Sequence, residues 1–185
     1  LYHVADLPTP PGRIEDTFTP FRKRVESEAS VRDPIEVPSL PGLPTQVGER
    51  LEPGGIPDAE ALTPDPGVPE RDDRASLPFE GGETRGIERL REYVWDRDCL
   101  REYKRTRNGL VGADYSSKLS PWLNRGCLSP RRVPEAVREY ERERVDNEST
   151  YWLVFELVWR DFFQFQFEKY GSNHFRGEGI RERTL

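Results

Sequence analysis

The sequence predicts an all-α fold behind a long proline-rich arm. Beyond residue 80, apolar residues recur at helical spacing in each extended segment, and no segment alternates convincingly with the two-residue period of a strand. One stretch, 151–167, is apolar nearly all round, the pattern of a helix buried in a domain core. The arm is set apart by composition: residues 1–80 hold 14 of the 17 prolines and carry 16 acids against 8 bases, whereas residues 81–185 carry 18 acids and 20 bases.

The elements follow in chain order. Asp16 and Thr17 precede Phe18, Phe21 and Val25, which predicts a short amphipathic helix over about 17–29. From Asp33 to Pro78 a Pro or Gly falls every few residues without periodicity, so 33–78 reads as an interdomain linker. After Gly81-Gly82, the spacing of Ile87, Leu90, Tyr93 and Val94 predicts a helix over 83–95 with those four on its buried face. A short helix near 98–105 and a turn at Asn108-Gly109 come next. Ser120 before Pro121 predicts a capped helix to Arg125, stopped by Gly126. Ser129-Pro130 repeats that start for a helix to about Val145, with Val133, Val137 and Tyr140 inward and Arg138, Glu139, Arg142 and Glu143 on a solvated face. The apolar helix runs from about Thr150 to Tyr170 and ends at Gly171.

Composition narrows the classes of function. The apolar fraction of 34% is low, and the arm accounts for the deficit. A net charge of −6 gives no sign of non-specific nucleic-acid affinity, although a local basic surface on the second half is compatible with it. Two cysteines, Cys99 and Cys127, are too few for a disulfide framework or a thiolate zinc site and read as single buried thiols. His3 and His174 have no acidic or thiol partners in pattern, so no metal site is expected. No apolar run reaches the ~20 residues that span a bilayer. A soluble, cytoplasmic protein is expected, without a membrane partner.

The segment 103–131 carries the chemistry. Ser116, Ser117 and Ser120 surround Lys118, directly before a helix start. Hydroxyls, an ammonium and backbone N–H groups at the positive end of a helix suit a phosphate group, and an ordinary capped helix would use the same residues. On the apolar helix, Glu156 and Arg160 lie four residues apart and share one face. Spacing alone leaves two readings: an ion pair inside the core, or two groups lining a cavity that holds a polar ligand. No Gly-x-Gly-x-x-Gly fingerprint is present, which disfavours a Rossmann mode of dinucleotide binding.

Four blocks, in order and at consistent spacing, carry a family resemblance. They are Phe79-Glu80-Gly81-Gly82-Glu83 with Leu90, Tyr93 and Trp95; Tyr103-Lys104 with Thr106-Arg107-Asn108-Gly109; Asp114 through Leu123 with Gly126 through Arg131; and Asn147 through Leu153 with Phe155 through Phe163. Together they resemble the FAD-binding region of the photolyase/cryptochrome family, and more narrowly the DASH cryptochromes. Upstream, Phe18-Thr19-Pro20-Phe21 resembles the segment leaving the family's first domain. The resemblance implies three parts: 1–32 as the tail of an N-terminal α/β domain, 33–78 as the linker, and 79–185 as the N-terminal part of a helical FAD-binding domain.

The resemblance also implies roles for residues. Those matching Ser116, Ser117, Lys118, Leu119 and Ser120 wrap the FAD pyrophosphate, the one matching Tyr103 contacts FAD, and the one matching Arg160 lies beside the flavin. Trp152, one turn before Glu156, is expected near the cofactor, or as an ordinary core tryptophan. The arginine matching Arg107 contacts DNA. The glutamate matching Glu156 hydrogen-bonds a pyrimidine dimer, and the tryptophan matching Trp159 walls the pocket. The implied activity is deoxyribodipyrimidine photolyase: blue-light electron transfer from reduced FAD that splits cyclobutane dimers in UV-damaged, single-stranded DNA. Blue-light signalling without repair and an inactive partial product are the alternatives. A methenyltetrahydrofolate antenna belongs to the family's first domain, which is nearly absent here. The chain therefore reads as an internal fragment lacking N- and C-terminal portions, and 1–185 by itself is expected not to retain FAD.

Overall fold

The computed structural model describes residues 1–39, 41, 42, 44, 55, 57–62 and 72–180. The chain forms two compact units, one of residues 1–34 with 79 onward and the other of residues 35–78. In the smaller unit, the described residues include one helical turn, α2 (Ala59–Leu62), where the Asp58 carboxylate accepts from the Ala61 N–H at 2.8 Å. About half of the rest of the linker expected over 33–78 falls outside the described residues.

The larger unit is helical, with no strand among its described residues. Its helices are α1 (Phe18–Glu28), α3 (Glu83–Arg91), α4 (Tyr103–Thr106), α5 (Ser120–Asn124), α6 (Arg132–Glu143) and α7 (Glu148–Tyr170). Helix α3 runs on through a π turn, Glu92–Asp96, and a 3₁₀ turn, Cys99–Glu102, precedes α4.

Helix α7 is the axis of the unit, packed by α1, α4 and α6. Its start is fixed by a capping box: the side-chain Oδ1 of Asn147 accepts from Ser149 N–H at 2.7 Å and Thr150 N–H at 3.2 Å, and Thr150 Oγ1 accepts from Asn147 N–H at 3.3 Å. The helix thus begins two residues before the expected Thr150. Leu153, Leu157, Val158, Phe162 and Phe165 are buried against Phe18, Phe21 and Val25 of α1 and Val133, Val137 and Tyr140 of α6. At the far end Gln166 donates to Glu15 O, and Lys169 to Ile14 O, each at 2.7 Å. These side chains fasten the segment ahead of α1 to the last turns of α7.

Several expectations change at the level of residues. Helix α7 is not buried all round, because Phe163 and Phe167 stand half-exposed. On α3, Ile87 faces solvent and Arg89 is buried in its place, with Gly86, Leu90, Tyr93 and Val94. Gly86 explains the rotation: a Cβ there would sit 3.2 Å from the Trp122 side chain, so this face lies directly on the indole, whose Nε1 donates to Glu80 O at 2.8 Å. Ser120 is not a cap but the first residue of α5; Leu119 holds the N-cap position, and no side chain caps the helix. Helix α6 begins at Arg132, two residues after Pro130, and ends at Glu143. Cys99 and Cys127 are free thiols, half-buried rather than enclosed.

Candidate cofactor site

One concave site in the larger unit is built from three segments. Tyr103 of α4, the loop and first turn Ser116–Pro121, and Leu153, Glu156, Leu157 and Arg160 of α7 line a cavity of about 630 Å³. That volume lies within the usual range for ligand pockets. Glu156 and Arg160 share the wall because they stand one helical turn apart; they are not paired to each other. Arg160 donates to Leu123 O and to Gln164 Oε1, each at 3.3 Å.

The loop supplies donors without partners. No backbone N–H from Ser116 to Ser120 donates to a protein acceptor among the described residues, and neither do the three serine hydroxyls. Lys118 carries no ion pair there; its ammonium rests over the Tyr115 ring, 3.8 Å from the centroid. Tyr115 is held in turn by Gly109, where a Cβ would fall 2.8 Å from the tyrosine Cβ. Lys118 itself sits at φ +54°, the left-handed region that a non-glycine residue adopts at a cost of roughly 1–2 kcal/mol. Across the cavity, burial first and then the nearby Glu156 charge push the Tyr103 hydroxyl up to about 12, so it remains a donor at neutral pH. Beside an apolar lining that includes Leu119, Leu153 and Leu157, the loop's donors and Tyr103 fit an anionic group such as a pyrophosphate.

Three residues named from the sequence stand apart from the cavity lining. Trp159 stacks face to face on Phe18, with centroids 3.5 Å apart and planes at 10°. Trp152 packs on Phe155 and carries two cations, Lys104 Nζ at 5.6 Å and the Arg107 guanidinium at 4.4 Å from its centroid. Arg107 forms a short ion pair with Glu156, at the cavity's edge. The other bases of this segment are also matched: Arg101 by Asp98, Lys104 by Glu148 and Arg105 by Glu102. Among the described residues no group of three His, Cys, Asp or Glu side chains could hold a metal ion.

Sequence reasoning did not single out Arg89 or Tyr115. Arg89 has a discoverable signature, since it lies three residues after Gly86 and four before Tyr93, on the buried stripe of α3.

No family model matches the chain. The curated relatives do. A protein of Natronomonas pharaonis named Cryptochrome DASH is 60% identical over 187 residues, covering 100% of this chain and 38% of the relative. Relatives of the same name from Gloeobacter violaceus and zebrafish are 48% and 43% identical, with 35% of each covered. The crystal structure of Synechocystis sp. cryptochrome superposes with a TM-score of 0.80 at 41% identity, covering 100% of this chain and 37% of that one. The helical architecture and this structural match define a segment of the helical FAD-binding domain of photolyase type. The chain belongs to the photolyase/cryptochrome family, on its DASH cryptochrome branch. It spans a little over a third of the length of the curated relatives it matches.

Proposed function

We propose that the cavity between the 116–120 loop and α7 holds the pyrophosphate-bearing part of FAD, as one portion of a blue-light flavoprotein. One observation carries the reading: Ser116, Ser117, Lys118, Leu119 and Ser120, whose N–H groups have no acceptor among the described residues, line one cavity with Tyr103 and Arg160. In this reading Ser116, Ser117, Lys118 and Ser120 bind the diphosphate, the Leu119 N–H adds a donor, and Arg160 supports the charge from α7. When bound, the flavin supplies light absorption and one-electron chemistry. The chain's residues place it and keep water from one side.

Glu156 lines the cavity next to Arg107, and its carboxylate can accept hydrogen bonds from a base extruded from single-stranded DNA. Repair of cyclobutane pyrimidine dimers is thus the proposed outcome of the light reaction. A second reading, blue-light photoreception without repair, is favoured by the stacking of Trp159 on Phe18, away from the cavity. Cytoplasmic placement belongs to the proposal and suits two free thiols; the rice relative, by contrast, carries a chloroplastic/mitochondrial name. None of the described helices is long and apolar enough to cross a membrane.

Equilibrium dialysis of the chain against FAD tests the site. FAD is not expected to survive purification on this chain, but weak reversible binding at high FAD concentration is expected, weakening about tenfold in Lys118→Ala. Equal binding by wild type and by Lys118→Ala combined with Ser116→Ala would refute the assignment. With FAD bound, blue-light turnover of a dimer-bearing single-stranded oligonucleotide supports repair, and its absence supports photoreception.

A further inference from the structure

The loop that lines the cavity owes its course to a buried side chain outside it. Arg89, on α3, is 4% exposed and is not part of the cavity lining. Its guanidinium spans the loop's two ends: Nη2 donates to Ala113 O at 2.8 Å and Nε donates to Ser117 O at 3.1 Å. The third donor, Nη1, is anchored to Glu92 Oε2 at 2.9 Å, one turn along the same helix. A carbonyl and the following N–H point in opposite directions across a planar trans peptide. Capture of Ser117 O therefore turns the Lys118 N–H away from Arg89. The next residue, Lys118, occupies the left-handed region, which needs such external support to persist in a residue with a Cβ.

We propose that Arg89 is the positioning residue of the 113–118 loop, a guanidinium fork that holds two carbonyls so that the loop's N–H groups and serine hydroxyls are presented as a ready-made cradle for a diphosphate. This deepens the cofactor reading and rests on it for the ligand, though not for the loop's order. The fork requires arginine: a lysine at 89 keeps the charge but cannot bridge two carbonyls while holding Glu92 in one plane.

Limited trypsinolysis with mass spectrometry reads the loop through cleavage after Lys118, while thermal melting reads the fold. Binding of inorganic pyrophosphate reads the cradle. In Arg89→Lys, cleavage after Lys118 is expected to rise about tenfold and pyrophosphate affinity to fall about fivefold, with cleavage within α6 unchanged. A folded Arg89→Lys protein with wild-type cleavage after Lys118 overturns the proposal. Should that variant not fold, Glu92→Gln loosens the fork from its exposed end. It is expected to raise cleavage about threefold, and a wild-type rate there overturns the proposal equally. If cleavage rises as expected while neither pyrophosphate nor FAD binds the wild-type chain, the cofactor reading fails and the role of Arg89 stands.

Discussion

Lys118 offers a pair of substitutions that separate backbone strain from ligand binding. At φ +54° its backbone is strained by its Cβ, and glycine would relieve that strain. Lys118→Ala keeps the strain and loses the ammonium–Tyr115 contact, which at a half-exposed site contributes about 0.5 kcal/mol. Lys118→Gly loses the same contact but also sheds ~1–2 kcal/mol of left-handed strain. Against this stands the ~0.5–1 kcal/mol that glycine's extra freedom in the unfolded chain costs. The glycine variant should thus be more stable than the alanine variant by about 1 kcal/mol. For a chain of 185 residues that corresponds to about 2–4 °C in Tm. Both variants lose the ammonium, so both should bind FAD about tenfold more weakly than wild type. Parallel melts and dialysis check the pair. An alanine variant as stable as the glycine variant would refute the left-handed reading, and retention of wild-type affinity in both would refute the phosphate role.

Three further outcomes are expected. Asp98 accepts from Tyr140 at 2.5 Å, Arg101 at 2.8 Å and Arg144 at 3.0 Å. Partial burial alone would raise its pKa, but these bonds outweigh it and hold the carboxyl at about 2. Its stabilising share is therefore complete above pH ~4 and lost as the pH falls toward 2. After discounting for an exposed edge that share is on the order of 1 kcal/mol, and Asp98→Asn should flatten the acid limb of a pH–Tm curve. Gly86→Ala brings a methyl to 3.2 Å from Trp122 and should cost about 1–2 kcal/mol, read by denaturant melting; an unchanged midpoint would show that α3 can slide off the indole. Glu156→Gln releases Arg107 from its charged partner, so single-stranded DNA binding should strengthen and its salt slope steepen by about one. An unchanged slope in fluorescence anisotropy would mean that Arg107 has no access to phosphate.

Much of this arrangement was legible in the sequence, and the exceptions have physical causes. Helices α1, α6 and α7 announce themselves because many apolar residues repeat a single period. The start of α7 was placed late because Asn147, which caps it, precedes the apolar run. Helix α3 departs from its pattern at Ile87, which faces water, while Arg89, about which the spacing says nothing, is buried where Gly86 fits closely on Trp122. The cavity residues Tyr103, Ser116–Ser120, Glu156 and Arg160 came from spacing and resemblance, and the structure brings them to one cavity. The left-handed turn at Lys118 had no sequence signal, because such turns are ordinarily flagged by glycine or asparagine. Nor could spacing reveal that Glu156 pairs with Arg107, 49 residues earlier, in preference to Arg160 on its own helix.

The matched charges along Arg101–Arg107 have a consequence for encounter. Each cation there already touches a carboxylate, so the edge projects little net field beyond a screening distance of ~8–10 Å. A polyanion diffusing past would feel scant attraction and would have to displace a resident acid to be held. Capture at such an edge proceeds by substitution at contact, and discrimination is exercised there, after arrival, by whichever visitor can offer the guanidinium a better mate.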